Sequence, residues 1–229
     1  MDIQKKVIII TGASKGIGMA TAQALAKRGA TLVLAARSTG ELEKLAASLP
    51  DAYAVTTDMQ KPQDIKNLVA ETIKKYGRID ALINNAGQGI YGPVESVDIS
   101  QYQSVMTLNV YGPLVAMQEV IPHMRAQGGG TIINVSSMVS KNYFPFLGAY
   151  ASTKYALNAL SLTARQELAK DNIIVSVVHP KMTATDFGKN ALGVKLDWHD
   201  RPMPEIDTPQ QVAEKIIETI QSGAAETML

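Results

Sequence analysis

The sequence contains no cysteine among its 229 residues. Disulfide bonds, thiolate metal sites and thiol nucleophiles are therefore excluded. Proteins of reducing compartments commonly do without disulfides, so this absence is typical of the cytoplasm. We expect a cytoplasmic protein.

Long apolar runs are also missing. No stretch approaches the roughly 18 consecutive apolar residues of a membrane-spanning helix. The apolar run after Lys5 and Lys6 ends within a few residues at Thr11 and Gly12, which is too short for the core of a signal peptide. We therefore expect a soluble protein with no membrane partner.

The chain also lacks an excess of positive or negative charge. The chain has 22 lysines and arginines against 21 aspartates and glutamates, which gives a formal net charge of +1. A nucleic-acid-binding protein usually presents a dense basic patch, so a nucleic-acid partner is not expected. The three histidines, His123, His179 and His199, lack the spacing of a metal site or a triad, so we expect structural roles for them and no bound metal.

The order of predicted elements indicates the fold. Hydrophobic residues make up 46% of the chain and charged residues 19%, which is enough apolar material for a sizeable core. The predicted strands are 6–11, 31–36, 52–56, 81–84 and the runs GGGTIINVSS and IIVSVVHP, with helical patterns between them. This alternation predicts one doubly wound α/β domain over 1–229, with a parallel sheet and helices on both faces.

Helix boundaries carry their own signals. Ser38 with Glu41 predicts a capping box at the start of the second helix, and Thr208 with Gln211 predicts another before the last helix. A long helical pattern covers 100–124, and we expect Pro113 to kink it because proline has no N–H to donate.

A glycine-rich stretch, TGASKGIG, lies between the first strand and the first helix. Gly12 permits a tight turn, Gly16 lets the backbone approach a pyrophosphate, and Gly18 allows close helix packing. The N–H groups that begin the helix can bind the phosphate anion. A glycine-rich turn can also simply end a strand, but the strand, turn and helix order favours a nucleotide site.

Four further motifs follow in order: NNAG at 84–87, LNVYG with Asn109, NVSS with Ser137, and Tyr150-x-x-x-Lys154. Together with the glycine spacing G-x-x-x-G-x-G, they resemble the short-chain dehydrogenase/reductase family over nearly the whole chain. The resemblance implies a Rossmann-type fold and a nicotinamide-dependent oxidoreductase that reduces a ketone or aldehyde to an alcohol, reversibly.

The reduction of a carbonyl needs a proton donor for the oxygen. A tyrosine pKa near 10 is high for this task, but a nearby ammonium and an oxidised nicotinamide would both lower it. Residues four apart share a helix face, so Lys154 can stand beside Tyr150, whereas Tyr155 points about 100° away from Lys154.

The resemblance completes a catalytic set of Tyr150, Lys154, Ser137 and Asn109. It implies that Ser137 donates a hydrogen bond to the substrate oxygen. The family's spacing between this serine and the tyrosine selects Ser137 over Ser136. Asn109 would hold a water beside Lys154, and Lys154 would also bind the ribose hydroxyls.

The second strand suggests which cofactor is bound. NAD sites usually place an acid at its end, where this chain has Ala36 followed by Arg37. Lys15 adds another positive charge in the glycine loop, so we expect NADP(H). The expected cofactor-binding residues are Gly12, Ser14, Lys15, Gly16, Ile17, Gly18, Arg37, Asp58, Asn85, Ala86, Gly87, Tyr150, Lys154, Pro180 and Thr185.

Two of these residues have an alternative reading. The resemblance puts Asp58 near the adenine and Asn85 near the ribose. Asp58 is also typical of a helix cap, and Asn85 of a turn.

The chain departs from the family pattern in places. Lys181 follows Pro180 where the family usually has glycine, and a positive φ there would strain a lysine. The segment 187–206 has no clear period and is either a lid over the substrate or a solvent loop. The residues Met138, Tyr143, Phe144 and Phe146 could line an apolar pocket or only pack.

The last residues bear on assembly. Only AAETML follows IQSG, where the family commonly has a further strand and an interface-forming tail. We therefore expect a homo-oligomer that is a dimer through the two long helices, with a tetramer as the alternative.

The substrate stays open at this level: an oxoacyl thioester or another apolar carbonyl is compatible with the scaffold. The competing function is a catalytically silent protein that senses NADP(H). A sugar-nucleotide epimerase or dehydratase would usually need a longer substrate region.

Overall fold

The computed structural model describes residues 1–195 and 205–229. Its main sheet consists of β1 (Val7–Thr11), β2 (Thr31–Ala36), β3 (Ala52–Thr56), β4 (Ala81–Asn84), β6 (Gly130–Val135), β7 (Ile173–His179) and β9 (Glu226–Met228), and a second, two-stranded sheet consists of β5 (Ile90–Tyr91) and β8 (Leu192–Gly193). The strand order is β3-β2-β1-β4-β6-β7-β9, and every pair in it is parallel.

Helices cover both faces of this sheet. They are α1 (Gly16–Ala26), α2 (Thr39–Ala47), α3 (Pro62–Tyr76), α4 (Ile99–Met106), α5 (Gly112–Ala126), α6 (Gly148–Leu168) and α7 (Pro209–Ser222). The predicted doubly wound α/β fold is therefore confirmed. Strand β1 is apolar on both faces, which explains why helices cover both sides of the sheet. Ile8 and Ile10 are buried in the core cluster that contains residues of α1, α2 and α7, while Ile9 is buried on the other face with residues of α3 and α5.

The predicted strands that lead to the site are present, and the main sheet also contains one strand that was not predicted. The residues AAETML, where no strand had been predicted, form β9 after α7. Gly223 ends α7 with φ 68°, and the chain then pairs with β7, with His179 opposite Met228. A left-handed glycine at a helix end permits this reversal, and the free edge of β7 supplies the hydrogen-bonding partner.

The long helix expected over 100–124 is interrupted shortly before Pro113, the residue at which a kink was predicted. Thr107–Tyr111 forms a π-helical turn between α4 and α5. Because Pro113 has no N–H, the carbonyl of Asn109 has no α-helical donor four residues on. The interruption therefore falls on a predicted catalytic residue.

The described ranges, 1–195 and 205–229, contain no helix that is both long and apolar enough to cross a membrane. Residues 196–204 of the segment for which a lid was considered, which include Trp198 and His199, lie outside these ranges.

Candidate active site

The motifs meet at one edge of the sheet. The glycine loop follows β1, the NNAG residues end β4 and continue past it, Ser136 and Ser137 follow β6, and Pro180 follows β7. In the main sheet, β2 lies on one side of β1 and β4 lies on the other, so the strand order reverses between β1 and β4. This edge is therefore the crevice in which doubly wound folds bind nucleotides.

The glycine loop is held tightly against the segment after β4. A Cβ at Gly18 would lie 2.3 Å from the carbonyl oxygen of Gly12, and one at Gly12 would lie 2.9 Å from the Cα of Ala86. The amide of Asn85 donates to the carbonyls of Thr11, at 2.9 Å, and Gly12, at 3.2 Å. Asn85 thus fixes the loop, which matches its alternative reading as a turn residue.

The start of α1 fits a phosphate group. The residue before it, Lys15, makes no side-chain cap, and no acid stands in the first turn. The N–H groups that begin the helix are therefore suited to an anion. Gly16 lies next to Thr185, since its Cβ would be 3.2 Å from the Thr185 methyl carbon, so a second segment borders this cradle.

The end of β2 carries no acid. Ala36 is buried, and Arg37 is exposed beside it, as is Lys15 in the glycine loop. Asp58 is half-buried, and its carboxylate accepts a hydrogen bond from the N–H of Gln60 at 3.0 Å. This contact closes the turn before α3, but the N-cap residue of that helix is Lys61, so Asp58 is not the helix cap of its alternative reading.

Tyr150 and Lys154 lie on one face of α6, as the spacing predicts. The Lys154 ammonium lies 6.0 Å from the Tyr150 ring centre and donates to the carbonyl of Val135 at 2.9 Å. Tyr155 instead stacks on Tyr143 at the surface, with the ring centres 6.1 Å apart. The two tyrosines therefore differ as expected in their relation to Lys154.

Ser137 is the serine that reaches Tyr150. Its hydroxyl lies near enough to the Tyr150 side chain to lower the pKa of the phenol. Ser136 is buried and faces Ser140, with 3.3 Å between the two hydroxyl oxygens. Ser137 also begins a short 3-10 turn, Met138–Ser140, in which its hydroxyl accepts from the N–H of Val139.

Burial dominates the electrostatics of Tyr150 and Lys154. It raises the pKa of Tyr150 well above its usual range, Tyr91 adds to the rise, and Ser137 opposes it. Burial also lowers the pKa of Lys154 to about 8. The expected lowering at Tyr150 is therefore not present in the protein alone, because the loss of hydration of the tyrosinate outweighs the favourable contacts.

Asn109 is fully buried in the π-helical turn. Its amide donates to the carbonyl of Gln88 at 2.9 Å and to the hydroxyl of Thr153 at 3.0 Å, and accepts from the N–H of Gln88 at 3.0 Å. The side chain thus joins the segment after Gly87 to α6. The water-holding role implied for Asn109 stays a prediction.

Two aromatic residues at this site were not predicted. The Phe187 ring packs against Tyr150 with the ring centres 5.6 Å apart, and Tyr91 is near enough to raise the Tyr150 pKa. Strands β5 and β8, only two residues each, bring the two segments together. Strands this short give almost no periodic signal in the sequence.

Lys181 needs no unusual backbone. Among the described residues other than glycine, φ is positive at Lys5, Phe146 and Asn172, and Lys181 is not in this set. The carbonyl of Pro180 accepts from the N–H of Met138 at 2.9 Å, which joins this loop to the Ser137 turn. The strain considered for a lysine at this position is therefore absent.

Comparisons with known proteins agree with this geometry. The family model for the short chain dehydrogenase matches residues 6–193. An uncharacterised oxidoreductase of Listeria innocua is 38% identical over 82% of this chain and 78% of its own length.

Two solved structures extend the similarity to the fold. A 3-ketoacyl-(acyl-carrier-protein) reductase from Brucella melitensis, complexed with NADH, has a TM-score of 0.91 at 28% identity and covers 99% of this chain and 97% of its own. L-sorbose reductase from Gluconobacter frateurii, complexed with NADPH and L-sorbose, has a TM-score of 0.88 at 29% identity, over 100% and 97%. The chain belongs to the short-chain dehydrogenase/reductase family of oxidoreductases.

Proposed function

We propose that the protein is an NADP(H)-dependent reductase that converts a ketone or aldehyde into an alcohol, and that the reaction is reversible. The observation that carries the proposal is the position of the Tyr150 phenol, which lies near enough to Ser137 for that hydroxyl to lower its pKa and stands on the same helix face as the buried Lys154. A neutral phenol beside a hydroxyl donor is suited to giving a proton to a carbonyl oxygen.

The residues of the set have separate tasks. Tyr150 gives its proton to the oxygen as negative charge develops there, and Ser137 donates a hydrogen bond to the same oxygen. Lys154 favours the tyrosinate that remains, and its ammonium also binds the ribose hydroxyls. In the direction of alcohol oxidation, the tyrosinate takes the proton back.

The crevice would hold the dinucleotide through groups already described. The pyrophosphate would lie on the glycine loop from Gly12 to Gly18, including the N–H groups that begin α1. Asp58, Asn85 to Gly87, Pro180 and Thr185 would border the remainder. When bound, the reduced nicotinamide supplies the hydride for the carbonyl carbon.

The preference for NADP(H) rests on charge. The end of β2 offers Arg37 and no acid, and Lys15 stands exposed in the glycine loop. Two cations without a carboxylate favour a 2′-phosphate over a free hydroxyl. The two solved relatives carry NADH and NADPH respectively, so they favour neither choice.

We propose an apolar carbonyl compound, such as an oxoacyl thioester, as the substrate. An apolar cluster surrounds Tyr150, formed by Ile90, Val105, Val97, Tyr102, Val139, Ala149, Phe187 and Leu192. Tyr143 and Phe144, in the segment after Ser137, are exposed. An apolar surface beside Tyr150 favours substrates by the apolar area that they bury.

A substrate panel tests the proposal. Ketones, aldehydes and oxoacyl thioesters of increasing chain length are offered with NADPH and with NADH, and oxidation of the cofactor is followed by absorbance. We expect turnover of apolar carbonyls, with a higher kcat/KM for NADPH. Tight NADPH binding without turnover across the panel would favour the silent sensor instead.

A homodimer in the cytoplasm, formed through the long helices, remains part of the proposal. Tyr111, in the turn between α4 and α5, and Tyr155 on α6 are exposed in the single chain and would be covered in such a dimer. Light scattering coupled to size exclusion distinguishes dimer, tetramer and monomer.

A further inference from the structure

A buried histidine lies directly behind the Ser137 turn. His179 ends β7 and is completely inaccessible to solvent. Its Nε2 lies 2.9 Å from the Glu226 carboxylate of β9, and its Nδ1 lies 3.3 Å from the hydroxyl oxygen of Ser140. The backbone of Ser137 lies near enough to the ring to raise its pKa.

Ser140 transmits this contact to Ser137. Its hydroxyl donates to the carbonyl of Ser137 at 2.7 Å and accepts from the amide of Asn158 at 2.9 Å. A hydroxyl has one proton, and here it is used on Ser137, so Ser140 accepts from His179 when the imidazole proton is on Nδ1, and Glu226 accepts when it is on Nε2. The imidazole and Ser140 thus both act on the backbone of Ser137.

Glu226 holds the turn at its other end as well. The same carboxylate oxygen that faces His179 pairs with the ammonium of Lys141, the residue that follows the 3-10 turn. The turn Met138–Ser140 is therefore tied to one carboxylate through His179 at its beginning and through Lys141 at its end. The charged groups that act on His179 are Glu226 and Lys141, and its neighbour Ser140 is neutral.

Packing alone does not explain a histidine at position 179. Removing it from water penalises its charged form, and burial together with Lys141 lowers its pKa, although Glu226 and Ser137 oppose the change. Neutral imidazole has a single N–H and cannot donate to Glu226 and to the Ser137 turn at once. An apolar residue would fill the same volume without this conflict, whereas a polar network defines one arrangement of the turn.

We propose that Glu226 and His179 are a positioning pair that holds the backbone of Ser137 in register with Tyr150. Strand β9 then belongs to the support of the active site, although no residue of it touches the reacting atoms. The inference rests on the proposed function of Ser137.

A double-mutant cycle tests the pair. His179→Phe keeps a ring and removes both nitrogens, and we expect kcat to fall on the order of 10- to 100-fold with little change in the KM for NADPH. In a Ser137→Ala background the same substitution should have almost no further effect on kcat, since it acts through Ser137. Equal losses in the two backgrounds would overturn the proposal.

Glu226→Ala provides a second variant in case His179→Phe does not fold, because the Glu226 side chain is partly exposed. It should reproduce the loss of kcat. Thr227→Val is the matched control on the same strand: the Thr227 hydroxyl pairs with Thr219 of α7. It should leave kcat unchanged.

Amide hydrogen exchange separates this proposal from the proposed function. With both Glu226→Ala and His179→Phe, the peptide that covers 136–141 should exchange faster, while a peptide from β1 and β2 should not change. If exchange is faster in the variants and the wild-type protein reduces nothing on the panel, the proposed function is disproved and the positioning role is kept. Unchanged exchange in an active enzyme would disprove the positioning role.

Discussion

The ammonium of Lys154 donates a hydrogen bond to the main-chain carbonyl of Val135 across 2.9 Å. Val135 ends β6, and Ser137 follows two residues later. This bond therefore joins the helix that carries Tyr150 to the strand that leads to Ser137. Because the contact is buried and charge-assisted, it is stronger than an ordinary surface hydrogen bond. Helix and strand, rather than a mobile loop, set the spacing of the candidate catalytic groups.

Replacing Tyr150 with phenylalanine tests the proton donor. We expect kcat to fall at least roughly 100-fold, because the carbonyl oxygen would lose its acid, while NADPH binding stays nearly intact. Steady-state kinetics and a fluorescence titration of NADPH measure the two effects. Tyr155→Phe is the matched control, since Tyr155 stacks on Tyr143 at the surface, and it should retain normal kcat. Normal turnover by Tyr150→Phe would remove Tyr150 from the mechanism.

The depressed pKa of Lys154 predicts a pH dependence of stability. The pKa is about 8 in the folded protein and 10.5 for an exposed lysine. Between these values the unfolded chain binds more protons, so the free energy of unfolding should rise as the pH rises. Below pH 8 both states are protonated, and the burial penalty is fully present.

Urea denaturation of the wild type and of Lys154→Met measures this effect. The difference in unfolding free energy should change in favour of the wild type by about 2 kcal/mol between roughly pH 8 and pH 10. The Tyr150 contribution has the opposite sign above its ordinary pKa, but it is present in both proteins and largely cancels. A difference that does not change with pH would show that Lys154 keeps an ordinary pKa.

Much of this site follows from the sequence because its signals are local. The strand-turn-helix order places the glycine loop, and the helical repeat places Tyr150 beside Lys154. Local patterns also explain one success and one failure at helix starts. Thr208 and Gln211 form the predicted capping box, but Ser38 makes no side-chain cap, because its backbone has ψ 84° rather than an extended value.

Other features depend on distant parts of the chain. Phe187 reaches Tyr150 only because β5 and β8 pair, and Glu226 reaches His179 only because β9 adds to the sheet edge. Two- and three-residue strands lack a periodic pattern, and their partners are far away in the sequence. The pKa direction at Tyr150 was also beyond the sequence, since burial is a property of the whole fold.

Charge removal near the end of β2 tests the cofactor preference. In the double variant Lys15→Ala, Arg37→Ala, kcat/KM for NADPH should fall about 10- to 100-fold, because charge-assisted hydrogen bonds to the 2′-phosphate would be lost. The value for NADH should change little, since its ribose has no phosphate. Lys44→Ala, an exposed cation of α2, is the control and should leave both values unchanged. Equal losses with the two cofactors would argue against a 2′-phosphate contact.

Two glycine substitutions should have opposite effects on stability. A Cβ at Gly18 would lie 2.3 Å from the Gly12 carbonyl oxygen and 2.6 Å from the Asn85 amide nitrogen, so Gly18→Ala must displace the glycine loop. We expect a lower melting temperature and loss of NADPH binding. Gly40 lies inside α2, and a Cβ there would meet nothing within 4 Å. Gly40→Ala should therefore stabilise the protein by about 0.5 to 1 kcal/mol and leave NADPH binding intact. Thermal unfolding and NADPH titration of both variants measure the contrast, and normal NADPH affinity in Gly18→Ala would mean that close approach of the loop to α1 is not needed for the cofactor.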